Sequence, residues 1–116
     1  MASFVIERFG CLDADGTPRG ELPSFAQDRE QLVGLYRAMV LTRSFDTKAV
    51  ALQRTGRLGT FASSLGQEAV AVGVGAAMAS DDIFVPSFRE QGAQLYRGCL
   101  LYTSDAADEF CHGGGW

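Results

Sequence analysis

Apolar side chains recur at helical spacing over residues 28–55, a stretch without proline. Asp28 is a typical N-cap residue, and Gly56 stands where a helix commonly ends on glycine. The pattern therefore predicts one long helix between them. Its apolar stripe, which we expect to pack in the core, consists of Leu32, Leu35, Tyr36, Met39 and Val40.

Residues 66–79 carry apolar and small side chains on nearly every side, which predicts a buried helix. Ala69, Gly73 and Ala77 recur at every fourth position, so the backbone of another helix could approach that face closely. The run Ile83-Phe84-Val85 then indicates a short strand, and residues 88–97 are typical of a further helix. The chain as given is predicted to be mostly α-helical.

The first 27 residues predict an extended N-terminal arm. Residues 13–18 read Asp-Ala-Asp-Gly-Thr-Pro, which has the turn chemistry of a loop between short extended pieces. Four side chains of this arm are apolar enough either to dock on a partner or to pack on their own domain, and both interpretations stay open. They are Phe4, Val5, Ile6 and Phe9.

Two serines have the spacing of a capping box, in which a serine and a residue three positions later satisfy each other's backbone amides. Ser87 stands three residues before Glu90, and Ser64 stands three residues before Gln67. The spacing therefore predicts Ser87 and Ser64 as the N-caps of two helices.

Arg89 would lie in the first turn after Ser87, where the helix dipole is already positive and a further positive charge is unfavourable. A bound phosphate would reverse that sign, because free amides and a guanidinium group supply the donors that phosphate oxygens need. Arg89 is therefore a candidate anion ligand. Alternatively, it is a solvated surface arginine paired with Glu90 or Glu68.

Four blocks of the sequence resemble the start of the alpha subunit of thiamine-diphosphate-dependent 2-oxo acid dehydrogenases, most closely those of bacterial pyruvate dehydrogenases. The blocks are Leu35–Asp46, Leu52–Gly59, Gly66–Ala69 and Pro86–Gly92. The resemblance implies an α/β thiamine-diphosphate-binding fold for the full-length protein. It also implies thiamine diphosphate and magnesium as cofactors, a beta subunit that completes a heterotetramer, and a lipoyl-bearing acyltransferase that receives the acyl group.

The resemblance also implies cofactor-binding residues. In this family an aromatic-arginine pair at the position of Phe88 and Arg89 contacts the cofactor, with the arginine on the diphosphate. Gln67 and Ser64 would shape the neighbouring helix start. The family more often has tyrosine at the position of Phe88, so a contact through a hydroxyl is not implied, and many members have histidine at the position of Gln91.

The blocks favour pyruvate as the substrate, although branched-chain 2-oxo acid and acetoin dehydrogenases share them. They identify no catalytic residue. A hypothesis of a different class is a non-catalytic helical interaction module, in which the small-residue seam around Gly73 binds a partner protein.

From Cys99 the resemblance ends, and residues 99–109 read as the translation of a transposase sequencing adapter. We expect an N-terminal arm over residues 1–27, the first part of the thiamine-diphosphate-binding domain over 28–98, and a non-native tail over 99–116. The metal-binding motif of the family would lie beyond Gly98, so no metal ligand is assigned and the chain alone is expected to be inactive. Cys111 and His112 are too few ligands for a zinc site.

Composition adds little about partners. The net charge of −4 comes mostly from three tail acids, Asp105, Asp108 and Glu109. The scattered arginines form no basic stripe, which argues against nucleic acid as a partner. The sequence has no apolar run of the roughly 20 residues that cross a bilayer and no signal-peptide layout, so a cytoplasmic location is expected. Cys11 is expected to be a free thiol.

Overall fold

The computed structural model describes residues 1–98 and, for residues 111–112, the backbone. The chain divides into two compact units, of which the first is Met1–Leu32 and the second begins at Val33. The predicted tail therefore lies outside the described residues, apart from the backbone of Cys111 and His112. No helix in the described part of the chain is long and apolar enough to cross a membrane.

The first unit is built around the predicted turn. The backbone N–H of Asp13 donates to the carbonyl of Thr17 at 2.8 Å, and Gly16 adopts a φ of 85° that glycine accommodates without strain. Leu12 and Pro18 pair as an isolated antiparallel bridge. The turn prediction is thus confirmed, and a short 3-10 helix, Ser24–Gln27, follows it.

The apolar side chains of the arm are exposed. Docking on a partner and packing on their own domain both stay predictions. The four exposed side chains are Phe4, Val5, Ile6 and Phe9.

The long helix α1, Arg29–Arg54, is confirmed with both of its predicted caps. Asp28 Oδ1 accepts hydrogen bonds from the backbone N–H groups of Glu30 and Gln31, at 3.0 and 3.3 Å. At the other end, Gly56 has a φ of 72° and donates to the carbonyl of Gln53 at 3.0 Å. These local bonds satisfy backbone groups that the helix itself leaves unpaired.

The predicted core stripe on α1 is wrong at three of its five positions. Leu32, Tyr36 and Val40 are exposed, whereas Leu35 and Met39 are half-buried. The fully buried residues of α1 are Thr42, Asp46 and Ala49. Apolar spacing identifies one face of a helix, but it does not identify what covers that face. In the described part of the chain, the covered stretch lies further toward the C-terminal end of α1 and includes polar residues.

Helix α2 runs over Glu68–Ala77, and the buried residues of α2 are Glu68, Ala71, Val72 and Gly75. The predicted start at Ser64 is wrong, because Gln67 occupies the N-cap position and makes no side-chain capping bond. The prediction of burial on all sides is also wrong, since Val70 is 70% exposed.

The close approach of a second backbone occurs on a different face of α2 from the one predicted. A Cβ added at Gly73 would meet nothing within 4 Å, and Ala69 and Ala77 are exposed. A Cβ added at Gly75 would instead lie 3.1 Å from the Cα of Ala93. The predicted seam is therefore wrong, because the close approach occurs at Gly75 and not at Gly73.

Strand β1, Ile83–Phe84, follows α2, and helix α3, Gln91–Tyr96, packs against α2. The predicted start of α3 near Phe88 is wrong, because Phe88 and Arg89 form a turn before it. Strand β2, Cys111–His112, pairs antiparallel with β1. Phe84 and Ala93 are buried together at the centre, with Met78 packed against them.

Candidate functional site

Asp46 fixes the loop before α2 to the side of α1. Its carboxylate is 3% exposed and accepts from the Ser63 hydroxyl at 2.6 Å. It also accepts from the Ser64 backbone N–H at 2.7 Å and from the Ser64 hydroxyl at 3.3 Å. The Ser64 side chain is therefore occupied with α1 and does not cap α2.

Arg89 extends from the turn before α3 to this same loop. Its Nη1 donates to the Ser63 carbonyl at 2.7 Å. Its Nε and Nη2 have no protein partner among residues 1–98, so two nitrogens of the guanidinium group are available to a ligand. The alternative pairing with Glu90 or Glu68 is wrong, because those carboxylates accept from Ser87 and Arg43 instead.

The turn that carries Phe88 and Arg89 is held at both ends. The Glu90 carboxylate accepts from the Ser87 backbone N–H, which is half of the predicted capping box without the helix start that we expected there. Gln91 Nε2 donates to the Phe88 carbonyl at 2.9 Å and to the Ala62 carbonyl at 3.2 Å. The loop and the turn are thus joined by Gln91 as well as by Arg89.

A pocket of about 360 Å³ lies between the turn and the start of α2. Residues 87–90 form one side, and Gln67, Val70 and Ala71 form the other. Three of the four site residues predicted from sequence, Gln67, Phe88 and Arg89, therefore line one pocket. Ser64 does not line it, and the structure places this residue in the scaffold behind the loop.

Glu68, at the first position of α2, is paired with Arg43 of α1. Arg43 Nε donates to Glu68 Oε1 at 2.8 Å. This bond is the main cause that lowers the pKa of Glu68 from 4.5 to about 2, and the same bond raises the pKa of Arg43. Glu68 therefore stays ionised at neutral pH, with its charge compensated locally.

Sequence reasoning missed the roles of Asp46, Ser63 and Gln91. One signal was present for Asp46, which stands four residues after Thr42 and three before Ala49 on one face of α1. A carboxylate on a buried face must find hydrogen-bond donors. No local pattern indicated that the donors would be Ser63 and Ser64.

No group of three or more histidine, cysteine, aspartate or glutamate side chains that could hold a metal ion occurs among the described residues. Two groups that line the pocket are donors, namely the guanidinium group of Arg89 and the side-chain amide of Gln67, beside the N-terminal end of α2. The Glu90 carboxylate on the same side accepts from the Ser87 backbone N–H. The two donors and the helix end suit an anion.

Comparison with known proteins identifies the family. The model of the dehydrogenase E1 component family matches residues 36–106, which include the pocket and the scaffold behind it. The chain is 44% identical over 73 residues to a pyruvate dehydrogenase E1 component subunit alpha of Acholeplasma laidlawii, covering 63% of this chain and 21% of that protein. No solved structure matches the chain.

Two further relatives are named after different substrates. A 3-methyl-2-oxobutanoate dehydrogenase subunit alpha of Mycobacterium tuberculosis is 39% identical over 100 residues, covering 84% of this chain and 27% of that protein. The pyruvate dehydrogenase E1 component subunit alpha of Bacillus subtilis is 35% identical over 83 residues, covering 72% and 22%. The chain thus spans about a fifth to a quarter of the length of these relatives. It belongs to the dehydrogenase E1 component family.

Proposed function

We propose that this chain is part of the alpha subunit of a thiamine-diphosphate-dependent 2-oxo acid dehydrogenase. Residues 28–98 would form the first part of a doubly wound α/β domain. The complete subunit would pair with a beta subunit, decarboxylate its substrate and pass the acyl group to a lipoyl domain. The relatives support this proposal, because those at 44% and 35% identity are named as pyruvate dehydrogenase alpha subunits.

The observation that carries the proposal is the donor set around one pocket. Its volume of about 360 Å³ is within the range of ligand sites, roughly 300–1,000 Å³. Arg89 contributes two unpaired guanidinium nitrogens, and a guanidinium fork binds phosphate oxygens in a bidentate manner. The start of α2 at Gln67 adds the positive end of a helix dipole. These residues fit a diphosphate group.

The roles that we assign follow from this arrangement. Arg89 would bind the diphosphate, and Phe88 would lie beside the cofactor. The side-chain amide of Gln67 would offer a further donor. Ser64 would act only by shaping the loop, since its hydroxyl is bonded to Asp46. When bound, the cofactor would supply the nucleophilic chemistry for decarboxylation of a 2-oxo acid, and magnesium would be held by residues outside the described part of the chain.

The diphosphate site can be tested on the chain itself by titrating ¹⁵N-labelled protein with thiamine diphosphate and following its NMR spectrum. We expect shifts at the Arg89 side chain and at the start of α2. Arg89→Ala should weaken binding about tenfold or more, because a charge-assisted hydrogen bond contributes roughly 1.5–3 kcal/mol. Thiamine without phosphate should produce none of the Arg89 shifts.

A matched control is Arg37→Ala, which removes an exposed arginine of α1 outside the pocket. This variant should bind thiamine diphosphate as the unchanged chain does. Equal binding by the Arg89 variant and the control would refute the assignment of Arg89.

Substrate choice requires the complete alpha subunit, obtained by reading the native gene past Gly98 and producing it with its beta subunit. We propose pyruvate as the substrate. The 39% identity with a 3-methyl-2-oxobutanoate dehydrogenase subunit favours a branched-chain 2-oxo acid as the alternative. Rates of decarboxylation with pyruvate and with 3-methyl-2-oxobutanoate would separate the two, and no decarboxylation of either would contradict the enzymatic proposal.

A further inference from the structure

Asp46 is a buried carboxylate whose hydrogen-bond donors are all neutral. It is 3% exposed, and the groups that donate to it are two hydroxyls and one backbone amide, from Ser63 and Ser64. Removing a carboxylate from water is costly, and an apolar residue at such a position would often serve packing equally well. What Asp46 adds is a fixed orientation of the two residues that it binds.

Ser63 is held from both sides. Its hydroxyl donates to Asp46 Oδ2 at 2.6 Å, while its carbonyl accepts from Arg89 Nη1 at 2.7 Å. The Ser63 hydroxyl also accepts from the Leu65 backbone N–H at 3.3 Å. Asp46 therefore holds the side chain of the same residue whose carbonyl is the one protein acceptor of the Arg89 side chain within residues 1–98.

Arg89 itself is exposed and has many rotamers in the absence of this bond. Fixing such a side chain costs conformational entropy, up to about 2 kcal/mol for arginine. A guanidinium group that is held before the ligand arrives avoids part of that cost at the moment of binding. The bond from Nη1 to Ser63 leaves Nε and Nη2 for a ligand.

We propose that Asp46 is a positioning residue for the anion-binding arginine. Its carboxylate holds Ser63 so that the Ser63 carbonyl orients the Arg89 guanidinium group toward the pocket. This inference rests on the proposed function, since it takes Arg89 as the ligand of the diphosphate. Asp46 touches neither the pocket nor the cofactor and acts only through Ser63.

The test is a double-mutant cycle with inorganic pyrophosphate and thiamine diphosphate as probes, read by NMR titration of the ¹⁵N-labelled chain. Asp46→Asn keeps an acceptor for Ser64 but loses the oxygen that accepts from the Ser63 hydroxyl. We expect binding of both probes to weaken about tenfold. In the Arg89→Ala background, Asp46→Asn should change the affinity by less than about twofold, because the residue through which it acts is gone.

A second variant, Ser63→Ala, cuts the same connection with less effect on folding, because Ser63 is only partly buried. It should weaken binding about threefold, because it removes the bond to Asp46 but keeps the Ser63 carbonyl that accepts from Arg89. Ser44→Ala removes an exposed serine from the same helix as Asp46 and should leave binding unchanged. Ser63→Ala keeps the inference testable if Asp46→Asn does not fold.

The outcomes separate this inference from the proposed function. If Arg89→Ala weakens binding but Asp46→Asn and Ser63→Ala do not, the positioning role is wrong and the diphosphate site stands. Equal effects of Asp46→Asn with and without Arg89 would show a merely structural role and would also overturn the inference. If neither probe binds the unchanged chain, the assignment of Arg89 fails, and the positioning role fails with it.

Discussion

Within residues 33–98, two carboxylates are buried, and they are compensated in different ways. Asp46 accepts hydrogen bonds from neutral donors, with the charge of Arg43 acting on it without a hydrogen bond, whereas Glu68 is hydrogen-bonded to the guanidinium group of Arg43. The negative charge of Glu68 is thus stabilised by a partner that is itself half exposed, with 57% of the Arg43 side chain accessible. At the residue scale, Glu68 is the carboxylate whose contribution to stability should change with pH.

Stability should fall with pH as Glu68 becomes protonated. Its pKa is about 2 in the folded chain, compared with 4.5 ordinarily, because Arg43 donates to it. A lowered folded pKa means that the stabilisation is complete above pH 4.5 and is lost as pH falls toward 2. Glu68→Gln should therefore lower the urea midpoint at pH 7 and have a smaller effect at pH 2.5.

Glu21→Gln is the matched control, since Glu21 is exposed and belongs to the first unit. Its midpoint should follow that of the unchanged chain at both pH values. A Glu68→Gln midpoint that differs from the unchanged chain by the same amount at pH 7 and pH 2.5 would contradict the role of the Arg43 pair.

The residues that line the pocket were easier to predict from the sequence than the hydrogen bonds of Asp46 that hold the loop before α2. Gln67, Phe88 and Arg89 were identified from the family resemblance, and all three line one pocket. The contacts of Asp46 span 17 and 18 residues along the chain, and no local pattern encodes a contact at that distance. The cofactor roles themselves stay predictions.

At the element scale, the ends of α1 were predictable because local signals determine them. Asp28 and Gly56 each satisfy backbone groups within a few residues. The start of α2 was not predictable, because Ser64 bonds to the distant Asp46 instead of capping the helix. At Ser87 only the Glu90 half of the capping box forms, and α3 begins later, at Gln91.

Two glycines of α2 should respond in opposite ways to alanine. A Cβ at Gly75 would lie 3.1 Å from the Cα and 3.2 Å from the carbonyl oxygen of Ala93, and backbone atoms cannot easily move aside. We expect Gly75→Ala to lower the free energy of unfolding by ~1–3 kcal/mol. Gly73→Ala meets open space and should raise it by ~0.5–1 kcal/mol, because alanine is the better helix former.

Urea unfolding of the two variants, followed by circular dichroism, would measure both changes. Stabilisation by both substitutions would show that α2 and α3 do not pack through Gly75. The pair is a strict comparison, because the two glycines lie two residues apart in one helix.

The C-terminal cap of α1 gives a second comparison between glycines. Gly56 has a φ of 72°, in the left-handed region that side chains with a Cβ rarely adopt. Gly56→Ala should therefore cost ~1 kcal/mol of stability. Gly59→Ala, at a position without positive φ and with nothing within 4 Å, should leave the thermal midpoint unchanged or slightly higher. A Gly59→Ala loss equal to that of Gly56→Ala would contradict the cap.

At the scale of the whole molecule, the described chain exposes more large apolar side chains than it buries. The buried apolar residues are Ala49, Ala71, Val72, Phe84 and Ala93. Much of the opposite face of α2 is uncovered, including Val70 and Val74, at 70% and 48% exposure. Exposed apolar surface of this kind marks an interaction site or favours association.

The division between core and surface can be tested with three valines of one helix. Val72 is 1% exposed, so Val72→Thr buries a hydroxyl and should lower the free energy of unfolding by ~1–3 kcal/mol. Val70→Thr and Val74→Thr place the same hydroxyl in water and should change stability by less than ~0.5 kcal/mol. The two surface variants together should instead reduce binding of a hydrophobic dye, because they remove exposed apolar area. Destabilisation by the surface pair as large as that by Val72→Thr would mean that the exposed face of α2 is covered in solution, for example by a second copy of the chain, and the unfolding midpoint would then rise with protein concentration.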